Sequence, residues 1–246
     1  MKLGFDFSPQ KFLRTLFVFS LLFLAASLAV SFWGLFGHSD DWWFLTHNFD
    51  FDEKNNLPHA FKSVLLALGS GAIFLNARAQ SQSGGAFRKR WWALGWIFLA
   101  LAIDEEVQIH QKTVSLMIAQ FKGVDIDHAP DAKVFWVVPY LIFAAGFCVV
   151  YLGFWWKLPP RVRTLFAVAG VIYVGGAAIV EEIAHKYTKL HPDPDVTYLL
   201  LTNFSEWMQM LGSILFLRAL LLHLVATAES LRSEEHTSEL QSPSVI

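Results

Sequence analysis

Apolar residues in this chain are clumped into long runs, not spaced at the period of a surface helix. Six runs approach or exceed the roughly 18 residues that mark a membrane span. They predict helices from about Thr15 to Phe36, Pro58 to Asn76, Trp91 to His110, Phe135 to Trp156, Val162 to His185, and Thr197 to Arg218. Each is close to the ~20 residues that cross ~30 Å of hydrocarbon. Helices are required because an open sheet leaves backbone groups unpaired in lipid. The first run is longer than the ~7–15 residues of a signal-peptide core, so it reads as a retained anchor. The expectation is an all-α, polytopic membrane helix bundle with six transmembrane helices.

Composition agrees: 54% of the residues are hydrophobic and 16% charged, against about 25% charged in a soluble domain. A net charge of -2, with no basic stripe of stacking aromatics, argues against a nucleic-acid partner. The lone Cys148 lies in an apolar run and permits no intramolecular disulfide. Membrane lipid is the expected partner.

Orientation follows from the basic residues. With the N-terminus inside, Arg14, Arg78, Arg88, Arg90, Arg161, Arg163 and Arg218 all fall on the cytoplasmic side. The outer side then holds only lysines: Lys54, Lys62, Lys112, Lys122, Lys133, Lys186 and Lys189. Both termini are therefore expected in the cytoplasm (N-in/C-in), and the setting is expected to be a bacterial cytoplasmic membrane. From Arg232 the sequence RSEEHTSELQSPS resembles a translated sequencing adapter. The expected division is a six-span domain over 1–231 and a non-native, disordered tail over 232–246.

Within the spans the ionisable residues are gathered, not scattered. Such groups are expensive in lipid, at about 2.5–3.5 kcal/mol each, and mark function by default. Asp104, Glu105, Glu106 and His110 fall on the third predicted helix, Glu181, Glu182 and His185 on the fifth, Glu206 on the sixth; His59 opens the second behind Asn56 and Pro58. Glu106 and His110 are spaced to share a helix face, as are Glu181 and His185. Glu182-Ile-Ala-His185 matches the Glu-x-x-His device of di-iron bundles. Mixed carboxylate and imidazole donors suit a divalent metal ion: zinc, iron or manganese. The expected ligands are Glu106, His110, Glu181, Glu182, His185, Glu206 and His59, with Asp104 or Glu105 as catalytic base, near the outer face. Asn203 and Gln209 sit where they would orient Glu206. The plainer readings are a helix end meeting water for the fifth-helix pair and a satisfied helix start for His59. The loop histidines His38, His47, His128 and His191 read as solvated.

At DEEVQIH and SEWMQMLGS the chain resembles a group of uncharacterised bacterial multi-pass membrane proteins. Those carry LDE-x-x-x-IHE-like and EE-x-x-EMLG-like elements. Here Ala102-Ile103 precedes Asp104, Gln111 follows His110, and Gln209 stands where an acid is expected. The resemblance implies a shared polar site and supplies no activity. Three functions remain open: a metal-dependent enzyme (hydrolase or oxidoreductase) acting on a lipid or apolar substrate, a proton- or cation-coupled transporter, and a structural or sensor protein.

Overall fold

The computed structural model describes residues 8–35, 43–82, 87–122, 133–193 and 195–241. Among these the regular structure is entirely helical: α1 Pro9–Leu35, α2 Trp43–Phe49, α3 Leu57–Gln82, α4 Arg88–Val107, α5 Ile109–Lys122, α6 Lys133–Trp156, α7 Pro160–Val174, a π-helical segment Gly175–Val180, α8 Glu181–Leu190 and α9 Val196–Gln241. Four stretches are long and apolar enough to cross a membrane: Pro9–Leu35, Leu57–Gln82, Pro160–Leu190 and Val196–Ser230. α4 falls short of that standard because Arg88, Lys89 and Arg90 at one end and Asp104, Glu105 and Glu106 at the other dilute its apolar run. α6 contributes a shorter apolar stretch, Ile142–Trp156. α9 runs on to Gln241, so the tail expected to be disordered from Arg232 has helical backbone to that point.

Local chemistry sets the helix ends. Asn56 accepts the His59 N–H at 3.0 Å, capping the start of α3. Pro160 occupies the first turn of α7, where its missing N–H costs nothing. Gln108 adopts a left-handed conformation (φ 57°) and ends α4. The single predicted helix that carried Glu106 and His110 is therefore two helices, with Glu106 on α4 and His110 on α5.

α9 is the hub, packing against α1, α3, α7, the π segment and α8, while α3 pairs closely with α4. Small residues permit the closest approaches. A Cβ on Gly212 would lie 2.8 Å from the Tyr173 nitrogen and 2.9 Å from the Ala169 oxygen. One on Gly176 would lie 2.7 Å from the Ser205 oxygen. Trp91, Leu65, Ile73, Met210, Leu217 and Leu220 fill the centre.

The polarity of the bundle runs inside out. Buried Asn76 accepts from His223 Nδ1 at 2.7 Å through its side-chain oxygen and donates through its amide nitrogen to the Leu220 carbonyl. Ser70 donates to the Gly95 carbonyl at 2.9 Å. Meanwhile Val149, Val171 and Ile142 are 77%, 73% and 69% exposed. Water would penalise that much exposed hydrocarbon, whereas lipid solvates it.

Candidate functional site

The second turn of α3 carries the residue around which the site is built. Lys62 follows His59 by three positions, so both project from one face of the helix. Lys62 is 5% exposed, and its ammonium donates to Glu105 Oε1 of α4 at 2.7 Å and to Glu206 Oε2 of α9. Gln209, one turn further along α9, offers its side-chain oxygen to the same ammonium at 3.4 Å. His59 Nε2 lies 3.4 Å from Glu105 Oε1. One ammonium thus joins three helices.

Glu206 lies ten residues beyond the start of α9 at Val196, roughly 15 Å along the axis at ~1.5 Å per residue. It is 8% exposed. A carboxylate there needs a partner, and the partner is an amine. Lys62 and the two glutamates sum to one negative charge. Lys54, on the loop before α3 and part-exposed, reaches within 3.9 Å of Glu206 Oε1 and completes the balance.

Glu206 also forms part of a cleft of about 320 Å³. Lys54, Glu181, Glu182, His185 and Lys189 line its walls. The π segment sets up this wall: its wider turn inserts beside Gly176, and α8 resumes with Glu181 facing the cleft. His185 Nε2 is buried without a hydrogen-bond partner. Glu182 pairs with Lys186 at 3.3 Å.

The residues expected to form a metal centre are therefore divided. Glu181, Glu182, His185 and Glu206 share the cleft. His59 and Glu105 belong to the Lys62 cluster instead. Glu106 is exposed on α4, Asp104 sits half-buried beside it, and the His110 side chain lies outside the described residues, as do His38 and His128. Among the described residues no group of three or more histidines, cysteines, aspartates or glutamates is arranged to hold a metal ion. Glu206 was expected to be compensated by Glu106, His110, Glu182 and His185 around a cation; the partner seen on it is Lys62. Gln209 does join the site, through Lys62; Asn203 instead donates to the Leu199 carbonyl at 2.9 Å. Sequence reasoning counted Lys62 among the outer lysines. The signal that identifies it is a lone cation, three residues after His59, entering the apolar run SVLLALGSGAIFL.

Fold and site together define an all-helical bundle with membrane-length helices and a charged centre buried at the base of a polar cleft. Residues 15–224 match the family described as Domain of unknown function (DUF8692), and the chain belongs to that family. Comparisons with curated proteins and with solved structures gave no match.

Proposed function

We propose that the protein is an integral membrane carrier coupled to protons or another small cation, with the Lys62–Glu105–Glu206 cluster as the coupling centre. In this reading the six apolar segments all span, both termini are cytoplasmic, lipid covers the apolar outer face, and the cleft opens to the exterior of a bacterial cytoplasmic membrane. One observation carries the proposal: two carboxylates from different helices share one buried ammonium, and one of them, Glu206, also meets an open cleft.

The chemistry follows from charge balance. With Lys54 in place the centre is neutral; when Lys54 swings toward water, one uncompensated negative charge remains. A proton or small cation entering through the cleft replaces it at Glu206. Intramembrane carboxylates commonly serve as such relays. The pairing of Glu206 with an amine favours this reading over a metal-dependent enzyme, since a protonated amine competes with a metal ion for that carboxylate.

Reconstitution into liposomes tests this. The wild-type chain is expected to dissipate an imposed pH gradient, with or without an opposing Na⁺ gradient, faster than empty liposomes. Glu206→Gln is expected to fall to the empty-liposome rate while keeping its melting temperature within a few degrees. Wild-type rates equal to empty liposomes, or an unimpaired Glu206→Gln, would overturn the proposal. A variant that loses its fold in proportion to its flux would assign the centre to structure alone.

A further inference from the structure

Two basic segments come together at one end of the bundle, away from the cleft. Arg88, Lys89 and Arg90 open α4, while Lys157, Arg161 and Arg163 surround the turn from α6 into α7. Packing joins them. The Phe154 ring of α6 meets Trp91 edge-on at 4.9 Å and Phe87 at 5.8 Å, and the Tyr151 hydroxyl donates to the Arg90 carbonyl at 3.2 Å. The cleft residues Glu181, Glu182 and Lys189 lie toward the far end of the helical stretch that starts at Pro160.

The surrounding sequence does not balance these charges. It holds no aspartate or glutamate from Lys54 to Ile103 or from Lys133 to Val180. Among the described residues none of the six cations makes an ion pair, and exposed Glu229 of α9 pairs with none of them. Two of the six are instead fixed on rings. The Arg90 guanidinium lies over Phe87 at 5.3 Å, and that of Arg163 over Trp156 at 4.9 Å and Trp155 at 5.7 Å. Trp155 Nε1 donates to the Arg163 carbonyl at 3.0 Å. A guanidinium lying on a ring face keeps N–H groups at its edge for an oxyanion, and fixing it beforehand lowers the entropy lost on binding. Both flank the last turns of α6. A Cβ on Gly153 would lie 3.7 Å from Arg90 Nη1, and Arg163 covers Trp156, three residues on.

The adjoining apolar surface points to the occupant. Ile142, Val149, Leu152 and Trp156 recur at helical spacing on α6, and each is more than half exposed. From Ile142 to Trp156 this strip extends roughly 21 Å at ~1.5 Å per residue, enough to line the ~15 Å depth of one leaflet. It ends at the basic turn. Inorganic phosphate or a nucleic acid would gain nothing from such a strip. We infer that this surface of α4, α6 and α7 binds an anionic phospholipid, its phosphodiester seated between Arg90 and Arg163 and its acyl chains along α6. The cation excess that orients a membrane chain requires only charge; here two guanidiniums are held in place at the head of an apolar track. The inference needs the chain in a bilayer and does not rest on the carrier reading.

Native mass spectrometry of the full-length chain in detergent, titrated with phosphatidylglycerol and with phosphatidylcholine, reads the binding directly. Phosphatidylglycerol is expected to bind at least about 10-fold more tightly. Arg90→Gln/Arg163→Gln is expected to lose most of that preference. Lys186→Gln/Lys189→Gln, an equal change of charge at the other end, is expected to keep it. Lys157→Gln/Arg161→Gln alters only exposed side chains and is expected to weaken phosphatidylglycerol binding by about 3-fold or more without a change in melting temperature. Melting in phosphatidylcholine nanodiscs, with and without phosphatidylglycerol, confirms that each variant folds and repeats the comparison in a bilayer. Equal affinity of the unaltered chain for the two lipids, an equal loss in the variants at the two ends, or displacement of phosphatidylglycerol by inorganic phosphate at similar concentration would overturn the inference.

Discussion

Asp50 shows how one residue's surroundings set its chemistry. Desolvation raises its carboxyl pKa, and the Asp52 N–H and Ser31 hydroxyl only partly offset that. The native state therefore holds the Asp50 proton more tightly than the unfolded chain does. Its contribution to stability is fully present below the ordinary aspartate value and is lost as pH rises through the raised, folded value. Melting curves of wild type and Asp50→Asn between pH 4 and pH 7 isolate this contribution. The wild type is expected to lose stability relative to the variant as pH rises; parallel curves, or the opposite slope, would contradict the assignment. Some of the site was legible residue by residue. Glu206 was identifiable because a carboxylate deep in an apolar run has no interfacial excuse. Lys62 was not, because a lysine five residues into α3 looks like a snorkelling end group until a partner is seen. Glu105 was anticipated, though as a base and not as half of an ion pair.

At the scale of elements, apolar runs place the backbone of the spans well: α1, α3 and α9 fall where the hydropathy puts them. Interruptions are harder to see. The left-handed Gln108 and the π segment at Gly175–Val180 lie inside continuous apolar or acidic stretches. Neither has a proline to announce it. Both matter, since one separates Glu106 from His110 and the other turns Glu181 toward the cleft. The contacts of α9 with α7 at Gly212 and with the π segment at Gly176 depend on glycine by direct sterics, so Gly176→Val and Gly212→Val are expected to cost about 1–3 kcal/mol by overpacking. Gly170→Ala on the same face-rich segment meets nothing within 4 Å and is expected to be neutral or slightly stabilising. Unfolding free energies in detergent check this; equal effects at all three positions would refute the close α7–α9 packing.

For the whole molecule, the Lys62 cluster ties α3, α4 and α9 into one unit, and the account depends on that tie. The most direct test is a double-mutant cycle on unfolding free energy, using wild type, Lys62→Met, Glu206→Gln and the double variant. Lys62→Met takes the shared ammonium from two carboxylates, leaving Glu206 only the more distant Lys54, and is expected to cost about 3–5 kcal/mol. Adding Glu206→Gln removes one of them, so the double variant is expected to be more stable than the sum of the single losses by at least ~1 kcal/mol. Additivity within about 0.5 kcal/mol would mean that Lys62 and Glu206 do not interact, and would contradict the account.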